Sequence, residues 1–303
     1  MTVRRSRRLP VSAALAAGAA LVIAAASFAP VRALSAGPAA KAGDIRPSLP
    51  GKFVWFDLLS KDRAASEAFY KGLFGWTFES RPGREMPFDV IKANGVPIGG
   101  ILDMTARKAE LPESMWLAYI SVADVDAAAA AFRSNNGKVL KEPHDVTKVA
   151  RAAAVVDPQG ALLGLVHLAK GDPPDAPAAE GTFLWTEYVA QDAETAMVFY
   201  RDTLGYEAKK MDAGVDIPYW VLTKGGVNRA GLYPTPWKEV KSNWLPYIRV
   251  ADASAAAAKA VALGGRVVFE PRENVRNGSL AIVIDPTGAP LALQKWPFEK
   301  AGK

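Results

Sequence analysis

The chain has 303 residues, a formal charge of +6 and no cysteine, and half of its residues are hydrophobic. This hydrophobic fraction excludes a disordered or collagen-like chain. The absence of cysteine excludes disulfides, iron–sulfur clusters, thiolate zinc sites and a cysteine nucleophile, and two histidines leave little room for a multi-histidine metal centre. The length predicts one large domain or two ordinary ones.

The first 33 residues have the anatomy of an export signal. Four arginines lie within residues 4–8, residues 9–31 are uncharged and alanine-rich, and Val31-Arg32-Ala33 gives a small-residue cleavage pattern. The run Ser6-Arg7-Arg8-Leu9 resembles a twin-arginine signal. We therefore expect residues 1–33 to be a signal peptide and the protein to be periplasmic or extracellular. The alternative is a membrane anchor, because 23 uncharged residues can span a bilayer.

The charge of the chain lies mostly in this segment. Residues 1–33 contain five arginines and no acid, so their removal lowers the formal charge from +6 to +1. The other Lys and Arg residues are scattered through 34–303 and form no basic stripe. The sequence therefore predicts no nucleic-acid partner.

The rest of the chain consists of two copies of one sequence unit. The segment 53–76 recurs at 183–206, with an aspartate, a Phe-Tyr pair and a glycine in the same places. The segments 116–124 and 157–161 recur 128 residues further on. Three matched blocks in the same order indicate an internal repeat.

The repeat divides the chain into regions. We predict a mature N-terminal extension over 34–50, a first domain over 51–170 and a second domain over 182–298. A proline-rich stretch over 171–181 joins the two domains as a linker.

Each copy contains the same predicted elements. An alternating run predicts a strand, an aspartate caps the helix that follows, and a glycine ends that helix. In the first copy these elements are a strand at 53–59, a helix between Asp62 and Gly75, a hairpin at Asn94-Gly95, a strand at 116–122, an alanine-rich helix at 125–135 and two strands that meet at the Asp-Pro-x-Gly turn 157–160. The pattern gives two βαββ-like halves per copy.

These residues resemble the vicinal oxygen chelate superfamily, the glyoxalase/bleomycin-resistance/dioxygenase proteins. The resemblance rests on the opening at 52–76, on Val-x-Asp at 122–124 and on Asp-Pro-x-Gly-Ala near the end of each copy. It implies an α+β fold of tandem βαβββ modules whose mixed sheets curve into cups. It identifies the fold but not the reaction, because the family includes isomerases, dioxygenases, epimerases, thiol transferases and drug-binding proteins.

The resemblance also implies a divalent ion held by His and Glu side chains on the cup strands. The matching positions in this chain hold residues that cannot donate a lone pair to a metal. They are Trp55, Leu117 and Gly164 in the first copy and Trp185, Leu245 and Ala292 in the second. We therefore expect no metal and no other cofactor. We also expect His144 to lie in a solvated loop and His167 to face the helices.

Alternation along the strands predicts which side chains face the cups. We expect the first cup to receive Phe53, Trp55, Asp57, Leu117, Tyr119, Ser121 and Leu162, and the second to receive Phe183, Trp185, Glu187, Leu245, Tyr247, Arg249, Pro290 and Gln294. The candidate catalytic residues are Asp57, Tyr119, Glu187 and Tyr247. The candidate ligand-binding residues are Trp55, Ser121, Trp185, Arg249 and Gln294.

The two acids differ in their expected partners. Tyr119 can hydrogen-bond Asp57, whereas Glu187 has both Tyr247 and the cationic Arg249. Asp57 is thus the better general-base candidate, and the second cup the better anion- or amide-binding candidate. The alternative is that both acid–tyrosine pairs are structural, because a buried acid needs a partner in any case.

The leading hypothesis is an exported, metal-independent tandem protein that binds a small aromatic or amphipathic molecule in one or both cups. A second hypothesis is an isomerase- or lyase-type enzyme that uses Asp57 or Glu187 with a tyrosine. A third is a non-catalytic scaffold whose cups are closed by Trp55 and Trp185. The expected partner is a small molecule, with membrane contact only through an uncleaved N-terminal segment, and we expect a monomer whose two modules pair.

Overall fold

The computed structural model describes residues 45–82, 87–106, 113–146, 148–211 and 217–297. The predicted signal peptide and most of the 34–50 extension lie outside these ranges. Within them, no helix is long and apolar enough to cross a membrane. The predicted linker over 171–181 contains no helix or strand.

Each copy consists of two successive βαβββ units. The first copy contains β1 Phe53–Ser60, α1 Arg63–Phe74, β2 Thr77–Ser80, β3 Phe88–Ala93, β4 Val96–Asp103, β5 Met115–Ser121, α2 Val125–Ser134, β6 Lys138–Val146, β7 Ala150–Val156 and β8 Leu162–Leu168. The second copy contains β9 Phe183–Ala190, α3 Ala193–Leu204, β10 Glu207–Met211, β11 Tyr219–Lys224, β12 Val227–Pro234, β13 Asn243–Val250, α4 Ala253–Ala262, β14 Arg266–Phe269, β15 Leu280–Ile284 and β16 Pro290–Lys295.

Each copy forms one eight-stranded mixed sheet. The order is β2-β3-β4-β1-β5-β8-β7-β6 in the first copy and β10-β11-β12-β9-β13-β16-β15-β14 in the second. The central strands β1 and β5 pair antiparallel, while β1 with β4 and β5 with β8 are parallel. The α+β class and the tandem βαβββ modules are thereby confirmed.

The residue pattern missed one strand in each half. The missing strands β2, β6, β10 and β14 are the edges of the two sheets. β10 is exposed along its whole length and β6 is mostly exposed or half-buried, so neither carries an apolar period. His144 lies on β6 rather than in the loop expected for it, for the same reason.

The helix boundaries follow the predicted signals. Asp62 accepts a hydrogen bond from the Ala65 amide, and Asp192 accepts one from the Thr195 amide. The helices end at Gly75 and Gly205, whose φ values of 73° and 67° are left-handed and favour glycine.

The two copies pack together through the faces that carry their helices. α1 contacts α4 and α2 contacts α3. Phe56 stacks on Phe183 with ring centroids 3.8 Å apart, and Phe53 lies 5.0 Å from the Trp244 ring. Phe53 and Phe183 therefore do not enter the cups. The reason is a β-bulge near the start of β1 and of β9. It lies between Phe53 and Trp55 in β1 and between Phe183 and Trp185 in β9, and it breaks the alternation of side chains.

The Asp-Pro-x-Gly turns hold the copies together. Asp157 of the first copy accepts hydrogen bonds from the hydroxyls of Tyr188, at 2.5 Å, and Tyr200, at 2.8 Å, in the second copy. In the opposite direction, the Asp285 carboxylate lies beside the buried hydroxyl of Tyr70 in the first copy. The two recurring motifs, Phe-Tyr and Asp-Pro-x-Gly, thus meet across the interface.

A carboxyl pair lies between α1 and the first sheet. Glu67 on α1 faces the buried Asp89 on β3, and Arg63 contacts Asp89 at 2.8 Å and Asp103 at 3.9 Å. Burial, and then the neighbouring Asp89, raise the pKa of Glu67 to about 7. The folded chain therefore holds this proton more tightly than the unfolded chain does.

This pKa predicts a pH-dependent stability. Between pH 4.5 and about 7 the folded state binds a proton that the unfolded state has lost, so stability contributed by this site falls as pH rises through that window. We expect Glu67→Gln to raise the free energy of unfolding by about 1–2 kcal/mol at pH 8, with little change at pH 4. Urea unfolding at the two pH values measures this. An equal effect at both would contradict the assignment.

Candidate functional site

A hydrogen-bonded carboxylate lies at the centre of the second cup. Glu187 on β9 is only 1% exposed. It accepts hydrogen bonds from the hydroxyl of Tyr219 at 2.7 Å and from that of Tyr247, and it pairs with the guanidinium of Arg276 at 2.5 Å. Burial, and then the charge of Glu187, raise the pKa of both tyrosines far above the usual range, so both remain hydrogen-bond donors.

Arg276 contacts residues on four strands of this cup, β9, β11, β13 and β16. Its second amino group donates to Gln294 on β16 at 3.0 Å, and Gln294 in turn donates to the Ser279 hydroxyl at 2.7 Å. The guanidinium also lies 5.5 Å from the ring centroids of both Tyr219 and Tyr247. Glu187, Tyr247 and Gln294 each lie two residues after one of the expected metal-ligand positions of the second copy. All three contact Arg276.

The structure corrects the expected partner of Glu187. Arg249 donates instead to the carbonyl of Ala178 in the linker, at 2.5 Å, and Arg276 occupies the place beside Glu187. Ser121 is likewise engaged outside the first cup, because its hydroxyl donates to the buried Asp172 at 2.6 Å. Ser121 ends β5 and Arg249 is the last residue but one of β13, and groups of the 171–181 linker hold both side chains, so the alternation alone misplaces them.

The first cup has a simpler centre. Asp57 is 2% exposed and accepts a hydrogen bond from the Trp55 indole at 2.7 Å. Its other partner is the Tyr119 hydroxyl, whose pKa is raised by burial and by the charge of Asp57. The surrounding cluster is apolar and includes Phe88, Leu117 and Leu162. The cup expected from the sequence therefore brings Asp57, Tyr119 and Trp55 together.

The six positions of the family's metal ligands do not fit a metal ion. Trp55 is 7% exposed and packs in the apolar cluster, and Trp185 donates to Tyr219 at 3.3 Å. Position 164 has no room for a side chain, because the Tyr119 ring lies over Gly164 and an added Cβ would stand 2.1 Å from that ring. Among the residues that the structure describes, no group of three His, Asp or Glu side chains is arranged to hold a metal.

The second cup contains an apolar pocket next to the Glu187 centre. The space inside it that a water-sized molecule can reach is about 40 Å³, and the pocket opens to solvent. It is lined by Val189, Tyr233, Trp237, Val240, Asn243, Leu245, Val268, Phe269, Ile282 and Pro290. Tyr233, which lines the pocket, packs against the same apolar cluster as Tyr247, so the pocket adjoins the Glu187 centre. Leu245 and Pro290 were expected in this cup from their sequence positions.

Sequence reasoning missed Arg276, Tyr219 and Tyr233. Arg276 lies in the connection between β14 and β15, 89 residues from Glu187, and no local pattern places it in the cup. The repeat could have predicted Tyr219, because this residue aligns with Phe88 of the first copy. Tyr219 packs against Gly231 in the same way that Phe88 packs against Gly100.

Both halves of the chain match family models. Residues 52–165 match the Glyoxalase/Bleomycin resistance protein/Dioxygenase superfamily, and residues 186–294 match the glyoxalase-like domain. The protein CFP32 of Mycobacterium tuberculosis (strain CDC 1551 / Oshkosh), which carries the name glyoxylase, is 31% identical over 80% of this chain and 93% of its own length. The anthracycline biosynthesis protein DauV of Streptomyces sp. (strain C5) is 32% identical over 79% of this chain and 91% of its own length.

Solved structures show the same fold. The Mn(II)-bound glyoxalase from Novosphingobium aromaticivorans has a TM-score of 0.56 at 17% identity, covering 82% of this chain and 83% of that one. The 2,2',3-trihydroxybiphenyl 1,2-dioxygenase from Sphingomonas wittichii strain RW1 has a TM-score of 0.52 at 13% identity, covering 82% and 91%. At these identities the likeness extends to the fold alone.

Proposed function

The chain belongs to the glyoxalase/bleomycin resistance protein/dioxygenase superfamily, and from this membership we propose that it binds a small apolar or aromatic molecule in its second cup without a metal ion. The observation that carries the proposal is the apolar pocket beside the Glu187 centre. Small-molecule sites are concave, mostly apolar and equipped with a few polar groups. Tyr233 and Asn243 supply such groups here.

The pocket walls favour a flat, apolar ligand. Phe269 and Trp237 are aromatic, and aromatic faces pack well on ring-shaped ligands. The Streptomyces relatives are named for anthracycline biosynthesis, and anthracyclines are fused-ring aromatic molecules. This supports an aromatic ligand for the present chain.

The predicted export signal would place such binding outside the cytoplasm. The intact mass of the mature protein tests this, because cleavage of the signal removes the mass of residues 1–33.

The geometry favours binding over proton-transfer catalysis. A general base must reach the proton that it removes. Asp57 is buried under Trp55 and Tyr119, and Glu187 is paired with Arg276 and two tyrosines. Both carboxylates are thus engaged in structural hydrogen bonds in this conformation.

Filling the pocket tests the proposal. The neutral fluorescent probe N-phenyl-1-naphthylamine should bind the wild-type protein saturably, at one site per chain. Val268→Trp places a large ring in the pocket wall, and we expect it to weaken binding at least tenfold because the ring fills the space of the ligand. The matched control is Arg266→Trp, an exposed position on the same strand, which should leave the affinity unchanged. Equal affinities in the two variants would place the probe elsewhere and overturn the proposal.

A further inference from the structure

The Glu187 centre has the composition of a recognition site for an organic cation. One carboxylate and the faces of two tyrosine rings surround the guanidinium of Arg276, at 2.5 Å from Glu187 and 5.5 Å from each ring centroid. Carboxylates pair with cations, and aromatic faces attract them through the ring quadrupole. An amidinium or ammonium group of a ligand would find the same three partners that Arg276 now has.

Arg276 reaches this centre on a strained backbone. Arg276 and Asn277 have φ values of 49° and 51°, in the left-handed region that non-glycine residues rarely adopt, and Gly278 follows at 67°. Two consecutive non-glycine residues in this region persist only where other contacts hold them. Here the contacts with Glu187, Gln294 and the two rings do so.

Arg276 stands between Glu187 and solvent. Its side chain is 17% exposed, whereas that of Glu187 is 1% exposed. Within this ion pair, Arg276 is therefore the partner that solvent reaches, whereas the Glu187 carboxylate is enclosed. The apolar pocket adjoins the same centre through Tyr233.

The first copy lacks this arrangement at the matching places. Lys148 corresponds to Arg276 and also has a left-handed φ of 60°, but its side chain is exposed. Phe88 stands in place of Tyr219, and Val166 in place of Gln294. Both copies therefore have a left-handed residue at this position, whereas only the second copy surrounds the basic side chain with a carboxylate and tyrosines.

We propose that Glu187, Tyr219 and Tyr247 form a binding site for an organic cation, which the chain's own Arg276 occupies until a ligand takes its place. The inference rests on the proposed binding function and narrows the ligand to an apolar or aromatic body that carries a protonated amidine or amine. The body would lie in the pocket and the cation would exchange with Arg276.

Benzamidine, an aromatic amidinium, is the probe, and benzamide is its neutral counterpart of the same shape. We expect benzamidine to raise the melting temperature of the wild-type protein saturably, and its half-saturating concentration to fall at least tenfold in Arg276→Ala, because the internal competitor is gone. Glu187→Gln should abolish the stabilisation by benzamidine both in the otherwise wild-type protein and in combination with Arg276→Ala. Benzamide should have no comparable effect on any variant. Lys148→Ala, the corresponding change in the first copy, should behave as the wild type does.

Several outcomes would overturn the inference: no saturable stabilisation of the wild type, equal effects of benzamide and benzamidine, or stabilisation that survives Glu187→Gln. Arg276→Gln, which keeps a polar side chain, serves as a second variant if Arg276→Ala does not fold. Binding of N-phenyl-1-naphthylamine needs no charge on the ligand. Retention of that binding together with failure of benzamidine would therefore reject the cation site while leaving the proposed function standing.

Discussion

Replacing Arg276 by Met is expected to lower the free energy of unfolding by about 3–5 kcal/mol, because it leaves Glu187 as a buried carboxylate without its cation. Glu187 is almost fully buried, and two tyrosine hydroxyls do not replace a full charge. Urea unfolding at pH 7, followed by circular dichroism, measures the loss.

A double variant separates the lost ion pair from lost packing. Glu187→Gln combined with Arg276→Met removes both charges, and we expect it to recover most of the stability that Arg276→Met loses, since replacing both partners is far less costly than removing one. Lys148→Met, at the matching exposed position of the first copy, should change the free energy of unfolding by less than about 0.5 kcal/mol. A double variant as unstable as Arg276→Met would show that the packing of the turn, and not the charge, is responsible.

Replacing Asp157 by Ala is expected to lower the free energy of unfolding by about 3–5 kcal/mol, since each buried donor left without a partner costs about 1–3 kcal/mol. Asp157 accepts hydrogen bonds from Tyr188 and Tyr200 across the interface and from the amides of Gln159 and Ala161 in its own turn. Thermal and urea unfolding of the variant measure the effect.

Substitutions of two other aspartates serve as comparisons for Asp157→Ala. Asp124 caps α2 through the Ala127 amide in an exposed setting, so Asp124→Ala should cost only about 1 kcal/mol. Asp285 holds the equivalent turn of the second copy and accepts the amides of Thr287 and Ala289. Asp285→Ala should therefore resemble Asp157→Ala. An Asp157→Ala effect no larger than that of Asp124→Ala would mean that the turn does not join the two copies energetically.

Local signals in the sequence predicted most of the fold. An aspartate before an amphipathic stretch and a glycine after it fixed the bounds of α1 and α3, because capping depends on residues within one turn. The repeat then supplied the second copy. The edge strands β2, β6, β10 and β14 escaped this reasoning, since an edge that faces solvent needs no apolar alternation.

The candidate site was predictable only along its strands. Alternation placed Asp57 with Tyr119 and Glu187 with Tyr247, because residues on paired strands share a face. It did not find Arg276, whose position depends on a left-handed turn between two strands. Nor did it foresee that linker groups would hold Arg249 and Ser121. Contacts made by irregular segments come from tertiary packing, which no periodicity encodes.

The two copies have diverged in their cups while keeping one backbone. Gly100 and Gly231 stand opposite the two acids at equivalent register positions, and an added Cβ would meet the acid and the neighbouring ring in both cases. The first cup surrounds its acid with Trp55 and Tyr119, whereas the second adds Arg276 and an open apolar pocket. This asymmetry is why we propose ligand binding in the second cup.

The most direct test of metal-independent binding in the second cup is a titration of the full chain with N-phenyl-1-naphthylamine after exhaustive treatment with EDTA, repeated with added Mn²⁺ or Zn²⁺. We predict one site per chain, the same affinity with and without metal, and loss of the site in Val268→Trp. Binding that appears only with added metal, or that survives Val268→Trp unchanged, would contradict the account.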